Sequence, residues 1–275
     1  MDRASIDDIT LEYDDSGVGE PVLCIHGAFI ADTFAPLLSE RNLASRYRMI
    51  TYHRRGYAGS SGRGEAVSLA GQAGDCRRLL SYLGVKRAHV VGHSFGGAIA
   101  LRLALDEPEL VQTLSLLEAA LPIGESAHLY RQALAQSEQR YREAGARATI
   151  DEFLQARWPG YREPLEHVLP GAFEQAVTDA ATCFSADLPA VIGSSFGEAD
   201  TRRIAQPALA VLGAKSADLA PRFGETHRLL LDWLPNAEGF VLPGAAHFLQ
   251  VENPRDMADA LVDFYARHPL GDPAD

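Results

Sequence analysis

The feature that most constrains this chain is an alternation: short runs rich in Val, Ile and Leu recur between longer stretches with helical periodicity. A strand buried on both faces reads as a near-continuous apolar run, and a parallel neighbour is reached only through a crossover, usually a helix. The pattern therefore predicts an α/β fold, with a mostly parallel, doubly wound sheet covered by helices. Candidate strands are ITLEYDD (9–15), PVLCIHG (21–27), YRMITYH (47–53), AHVVGH (88–93), TLSLLEA (113–119), PALAVLG (207–213) and AEGFVLPG (237–244), the first expected as an antiparallel edge. Helical patterns fall between them at 31–44, 68–83, 95–106, 221–233 and 254–268. Ser68 is placed as an N-cap, Gly84 as a stop, and Pro254 in a first turn behind Asn253.

Between Pro122 and Asp200 the strand pattern vanishes and about three helical stretches appear, richest in Ala, Gln, Glu and Arg from Ser126 to Trp158. A helical block inserted between two strands reads as a cap able to shut water out of a pocket. The expected organisation is a core of 1–121 and 201–275 with an inserted helical cap at 122–200. A chain of 275 residues suits one large core with an insertion better than two catalytic domains.

The net charge of −12 argues against a nucleic-acid or anionic-membrane partner. A small-molecule substrate is the expected partner, and a homodimer stays open. Cys24, Cys76 and Cys183 are an odd number with no C-x-x-C spacing, so they suggest neither a disulfide framework nor a zinc site, and a reducing cytoplasm is the natural reading. The start MDRASIDDIT lacks the basic and apolar segments of a signal peptide, and no run is long enough to span a membrane. With no P-loop and no G-x-G-x-x-G, no nucleotide, flavin or metal cofactor is expected.

Gly92-His93-Ser94-Phe95-Gly96 is a G-x-S-x-G motif where a strand pattern (AHVV) gives way to a helical one (FGGAIALRLAL). A sharp turn there exposes the serine hydroxyl above the sheet, and small neighbours let the turn close. The helix start adds free N–H groups facing any negative charge that develops. Ser94 is thus the candidate nucleophile. Among nine histidines, His247 follows a strand-like run (GFVLPG) near the C-terminus and precedes a helix, with Ala245 and Ala246 leaving its loop room to approach. It is the candidate general base.

Taken in order, HGAF (26–29), RRGYAGSS (54–61), VVGHSFGG (90–97) and PGAAHFLQVENP (243–254) resemble the α/β-hydrolase family over nearly the whole chain apart from the cap. The resemblance implies an oxyanion hole made by the backbone N–H groups of Phe95 and Ala28. It also implies that His26 and His93 brace loops, and that Arg54 and Arg55 belong to a structural turn. The family order, nucleophile early and histidine last, agrees with Ser94 and His247.

The acid departs from that pattern. The family's usual G-x-x-D after the strand PALAVLG is here Gly213-Ala214-Lys215-Ser216, and a serine cannot carry the charge that orients an imidazolium. Two carboxylates compete: Asp218, two residues further on, and Glu118, at the end of TLSLLEA. Glu118 stands ahead, because its apolar run makes it hard to explain as a surface charge and because sheets of this kind place active-site groups at strand C-termini. That placement resembles zearalenone-type lactonases, whose serine is served by a glutamate on this strand.

The expected chemistry is hydrolysis of an ester or lactone through an acyl-enzyme, while C–C bond and thioester hydrolysis, or a receptor of the same fold with little turnover, stay open. Tyr130, Phe153 and Trp158 in the cap are candidate substrate-binding residues, with Tyr141, Tyr161, Phe173 and Phe184 as further aromatic walls. No basic cluster stands out there, which points to a largely apolar substrate.

Overall fold

The computed structural model describes residues 1–271. Its centre is a single eight-stranded sheet in the order β1-β2-β4-β3-β5-β6-β7-β8. The strands are β1 Asp2–Ile6, β2 Ile9–Ser16, β3 Glu20–Ile25, β4 Tyr47–Tyr52, β5 Ala88–His93, β6 Val111–Leu117, β7 Ala208–Gly213 and β8 Ala237–Leu242. β1 pairs antiparallel with β2, and β2 antiparallel with β4. All pairings from β4 to β8 are parallel.

Side chains alternate between two apolar layers with the period of a strand. Leu23, Val90, Leu116 and Ala210 face one cluster, while Val22, Cys24, Val91, Leu117 and Val211 face the other. Helices Leu69–Tyr82 and Phe95–Asp106 contribute to the first layer, and Pro254–Ala266 to the second. The predicted punctuation is present: Ser68 Oγ accepts from Gly71 N–H, Asn253 Oδ1 accepts from Asp256 N–H, and Gly84 sits at φ 70° after the helix end.

Three expectations are corrected. The strand from Ile9 is not the edge, because residues 2–6 form a further strand that covers it across a turn at Asp7, held at φ 53°. Residues 31–44 do not form one helix; Glu40 is extended at ψ 113° and separates two single turns, Ala35–Leu38 and Arg41–Ala44. β6 ends at Leu117 rather than 119, since Glu118 leaves the ladder with φ 47°.

Every element between β6 and β7 is helical, in more and shorter pieces than the composition suggests: Ala127–Gln155, Arg162–Val168, Ala172–Thr178, a run from Ala180 to Ile192, and Glu198–Thr201. Gly145, at φ 78° and ψ 176°, breaks the first of these, and residues 183–187 form a π turn.

The topology itself selects a place for a site. β4 and β5 flank β3 on opposite sides, so the chain reverses its direction of travel at β3. The loops leaving the C-terminal ends of β3 and β5 therefore diverge and leave a crevice, the place where open α/β sheets bind ligands.

Candidate active site

Ser94 stands in that crevice, on the turn between β5 and the helix Phe95–Asp106, with φ 52° and ψ −115°. This backbone is costly for a residue with a Cβ and is held by its surroundings. Ser94 N–H donates to Leu117 O at 2.9 Å, and Ser94 O accepts from Ala120 N–H at 2.8 Å. The flanking glycines are required by packing. A Cβ on Gly92 would lie 2.4 Å from Gly96 O, and one on Gly96 only 2.0 Å from Ile25 O.

His247 and Glu118 complete a chain of contacts. His247 Nε2 lies 3.1 Å from Ser94 Oγ, and His247 Nδ1 lies 2.6 Å from Glu118 Oε2. With the proton on Nδ1, the ring donates to the carboxylate and leaves Nε2 free to accept from the serine hydroxyl. Both partners are interior, His247 at 3% and Glu118 at 6% exposure. His93 Nε2 donates to His247 O at 2.8 Å and braces the His247 backbone.

Glu118 reaches His247 because of its left-handed backbone at the end of β6. Its N–H stays bonded to Val211 O, and its Oε1 accepts from Gly213 N–H at 2.8 Å. The carboxylate thus arrives from β6 beside the end of β7. Ser216 is fully buried there, and although its Oγ makes no hydrogen bond of standard geometry, its hydroxyl favours the ionised carboxylate. Burial still pushes the Glu118 carboxyl up to about 7. Asp218 is exposed on the single turn Ser216–Leu219, and His247 Nδ1 is held by Glu118 instead.

Burial, followed by the Arg222 and Arg157 charges, holds the His247 pKa well below its ordinary value. The imidazole is therefore neutral at neutral pH, the form a general base requires.

The loop after β3 lies against the serine: a Cβ on Gly27 would sit 3.2 Å from Ser94 Cβ. Neither the Ala28 nor the Phe95 amide donates to an acceptor among the described hydrogen bonds. His26 braces this loop, its Nδ1 donating to Gly27 O at 2.8 Å and its Nε2 accepting from Arg54 N–H at 2.9 Å. The Arg54 guanidinium donates to His26 O and Gly27 O and pairs with Asp187 at 2.7 Å, both side chains only 1% exposed. Tyr57 OH donates to the same carboxylate at 2.6 Å. One buried cation thereby fastens the loop beside Ser94 to the helical insertion.

Of the cap aromatics, Phe153 packs edge-on to Phe29 at 4.6 Å between ring centroids, and Trp158 lies 5.7 Å from Phe248. Tyr130 is buried under the Arg222 guanidinium, 4.2 Å from ring to Cζ. Sequence reasoning missed Arg157, Arg222 and Asp187. Each comes from a separate element and carries no local motif, so only the assembled fold brings them to this region.

Residues 22–260 match the family model described as the alpha/beta hydrolase family. The chain is 38% identical over 122 residues to the dihydrolipoyllysine-residue acetyltransferase component of the acetoin cleaving system of Cupriavidus necator, covering 44% of this chain but only 32% of that relative's length. It is 26% identical to the 2-hydroxymuconate semialdehyde hydrolase of Pseudomonas putida, covering 92% of this chain and 89% of that protein. Among solved structures, the enol-lactonase from Burkholderia xenovorans superposes with a TM-score of 0.83 at 20% identity, covering 96% of this chain and all of that one. The strand order, the serine turn after β5 and the match across most of the chain lead to one conclusion: this protein belongs to the α/β hydrolase family.

Proposed function

We propose that the chain is a serine hydrolase that cleaves a small, largely apolar carboxylic ester or lactone through an acyl-enzyme. The observation that carries this reading is the unbroken relay Ser94 Oγ, His247, Glu118, with contacts of 3.1 Å and 2.6 Å. The similarity to the 2-hydroxymuconate semialdehyde hydrolase, at 26% identity over 92% of this chain, supports it. In this reading His247 Nε2 takes the Ser94 proton as Oγ attacks the substrate carbonyl carbon, and Glu118 stabilises the imidazolium that forms. The Ala28 and Phe95 amides receive the oxyanion. The imidazolium returns its proton to the departing alkoxide, leaving Ser94 acylated. His247 then deprotonates a water that attacks the acyl carbonyl and releases the acid, restoring the serine.

The insertion at 122–200 serves as a cap over the core of 1–121 and 201–275. The Arg54–Asp187 ion pair and the Phe29–Phe153 contact, each joining the two parts, support that role.

The test is labelling with a fluorophosphonate probe, followed by peptide mass spectrometry, alongside hydrolysis of p-nitrophenyl butyrate and a set of lactones. Wild type should carry the adduct on the peptide containing Ser94 and turn over at least one substrate, and Ser94→Ala should do neither. Turnover that survives Ser94→Ala would reject the assignment.

A further inference from the structure

Beside His247 two arginines stand without a salt-bridge partner, although the Arg222 charge acts at longer range on the Glu118 carboxylate. Neither Arg157 nor Arg222 has a carboxylate within salt-bridge distance among the described residues, although most of the chain's other arginines are paired. Arg157 donates only to a backbone carbonyl, Phe153 O at 3.1 Å. Arg222 has no hydrogen bond among those described, and its guanidinium lies over the faces of Tyr130 and Phe223, at 4.2 Å and 3.8 Å. Glu225, one turn further along the same helix, is the natural partner for Arg222. Its carboxylate is instead taken by Glu125 N–H at 2.6 Å and by Ser126 N–H at 3.0 Å.

Both side chains line one cleft of about 310 Å³, together with Tyr130, Leu129, Pro221 and Phe223. That cleft adjoins the base. The Phe223 ring is 4.9 Å from the His247 ring, and Arg157 O accepts from His247 N–H at 3.4 Å. Burial, and after it the neighbouring Arg222 charge, lowers the Arg157 pKa to about 9. Two like charges in a half-buried cleft repel and are poorly hydrated, and an anion between them relieves both costs. A carboxylate, planar and able to accept two parallel hydrogen bonds, matches a guanidinium in shape as well as charge.

We infer that Arg157 and Arg222 form a carboxylate-binding subsite beside His247, so that the substrate is an ester or lactone with an apolar body and a second, free carboxylate. This rests on the serine-hydrolase reading above and refines its substrate class. The aromatic faces beneath the guanidiniums and the apolar cleft wall would receive the carbon chain.

Two measurements separate the subsite from the hydrolase reading. The first compares kcat/KM for p-nitrophenyl hydrogen adipate and the neutral p-nitrophenyl hexanoate in wild type, Arg157→Gln, Arg222→Gln and Arg222→Lys. The ratio of anionic to neutral ester should fall about ten- to a hundredfold in each Gln variant, chiefly through KM, and recover in part with Lys. Any effect of the lost charge on His247 acts on both esters and cancels in the ratio. The second is calorimetric titration of Ser94→Ala with adipate and with hexanoate, which reads binding without turnover. Adipate binding lost in the Ser94→Ala, Arg222→Gln double variant supports the subsite even if no ester is cleaved. An unchanged ratio in both Gln variants, or equal binding of adipate with and without Arg222, overturns it.

Discussion

Replacing Glu118 by Gln removes a charge while keeping nearly the same volume and leaving an oxygen to accept from Gly213 N–H. In the resting protein the effect is small, because His247 is then neutral. In the proposed mechanism the ring becomes an imidazolium during attack on substrate, with its Nδ1 2.6 Å from the altered group. At a charge separation of about 4 Å and an effective dielectric constant of about 20, the lost attraction is about 4 kcal/mol. That corresponds to about a thousandfold in rate. An amide NH₂ turned toward Nδ1 would also favour the wrong imidazole tautomer, a change that costs about ten-thousandfold in the best-studied serine triad. The expected loss in kcat is therefore about a thousand- to ten-thousandfold, with KM little altered because Glu118 lies behind the imidazole. Steady-state hydrolysis of p-nitrophenyl butyrate, with circular dichroism to confirm folding, measures it; Asp218→Asn, on the exposed neighbouring turn, should stay near wild type. If Glu118→Gln keeps more than about a tenth of wild-type kcat, or if Asp218→Asn is the inactive protein, the assignment of the acid is wrong.

Burial and two arginine charges hold the His247 pKa below the ordinary imidazole value of 6.5, so the acid limb of kcat/KM belongs to Glu118, whose carboxyl burial pushes up to about 7. The proposed mechanism needs the Glu118 carboxylate, which is present above that raised pKa, so activity falls as pH drops through about 7, and Arg222→Gln, which removes a charge favouring the carboxylate, should move the limb upward. A pH profile with its acid midpoint at the ordinary glutamate value of about 4.3 would contradict this. Gly96→Ala places a Cβ 2.0 Å from Ile25 O, and the forced shift should cost at least about 1 to 3 kcal/mol, lowering the thermal midpoint by several degrees and impairing turnover together; an unchanged melting curve would show that the β3 loop yields freely. Asp187→Asn leaves Arg54 buried without its counter-ion, and a loss of about 3 kcal/mol or more is expected in urea unfolding, with less than about 1 kcal/mol counting against the proposed clamp.

The sequence by itself determined the sheet and singled out Ser94 and His247, the two groups at the centre of the proposed chemistry. Apolar runs such as AHVV and LSLL carry their own burial on both faces, and the G-x-S-x-G turn carries its own steric need for glycine, so both are local properties legible along the chain. His247 could be placed because its position after the last strand follows from the order of elements. The sequence ranked Glu118 ahead of Asp218 through its apolar run, but the contact with His247 is not a local property. It depended on a left-handed φ at the end of β6, which turns a residue expected within the strand toward a histidine 129 positions away. The same holds for Arg54 against Asp187, and for Arg157 beside Arg222, where long side chains from distant elements meet through packing. Periodicity and turn chemistry act over a few residues and can be read in order, whereas charge pairing and its absence depend on distances that exist only once the chain has folded.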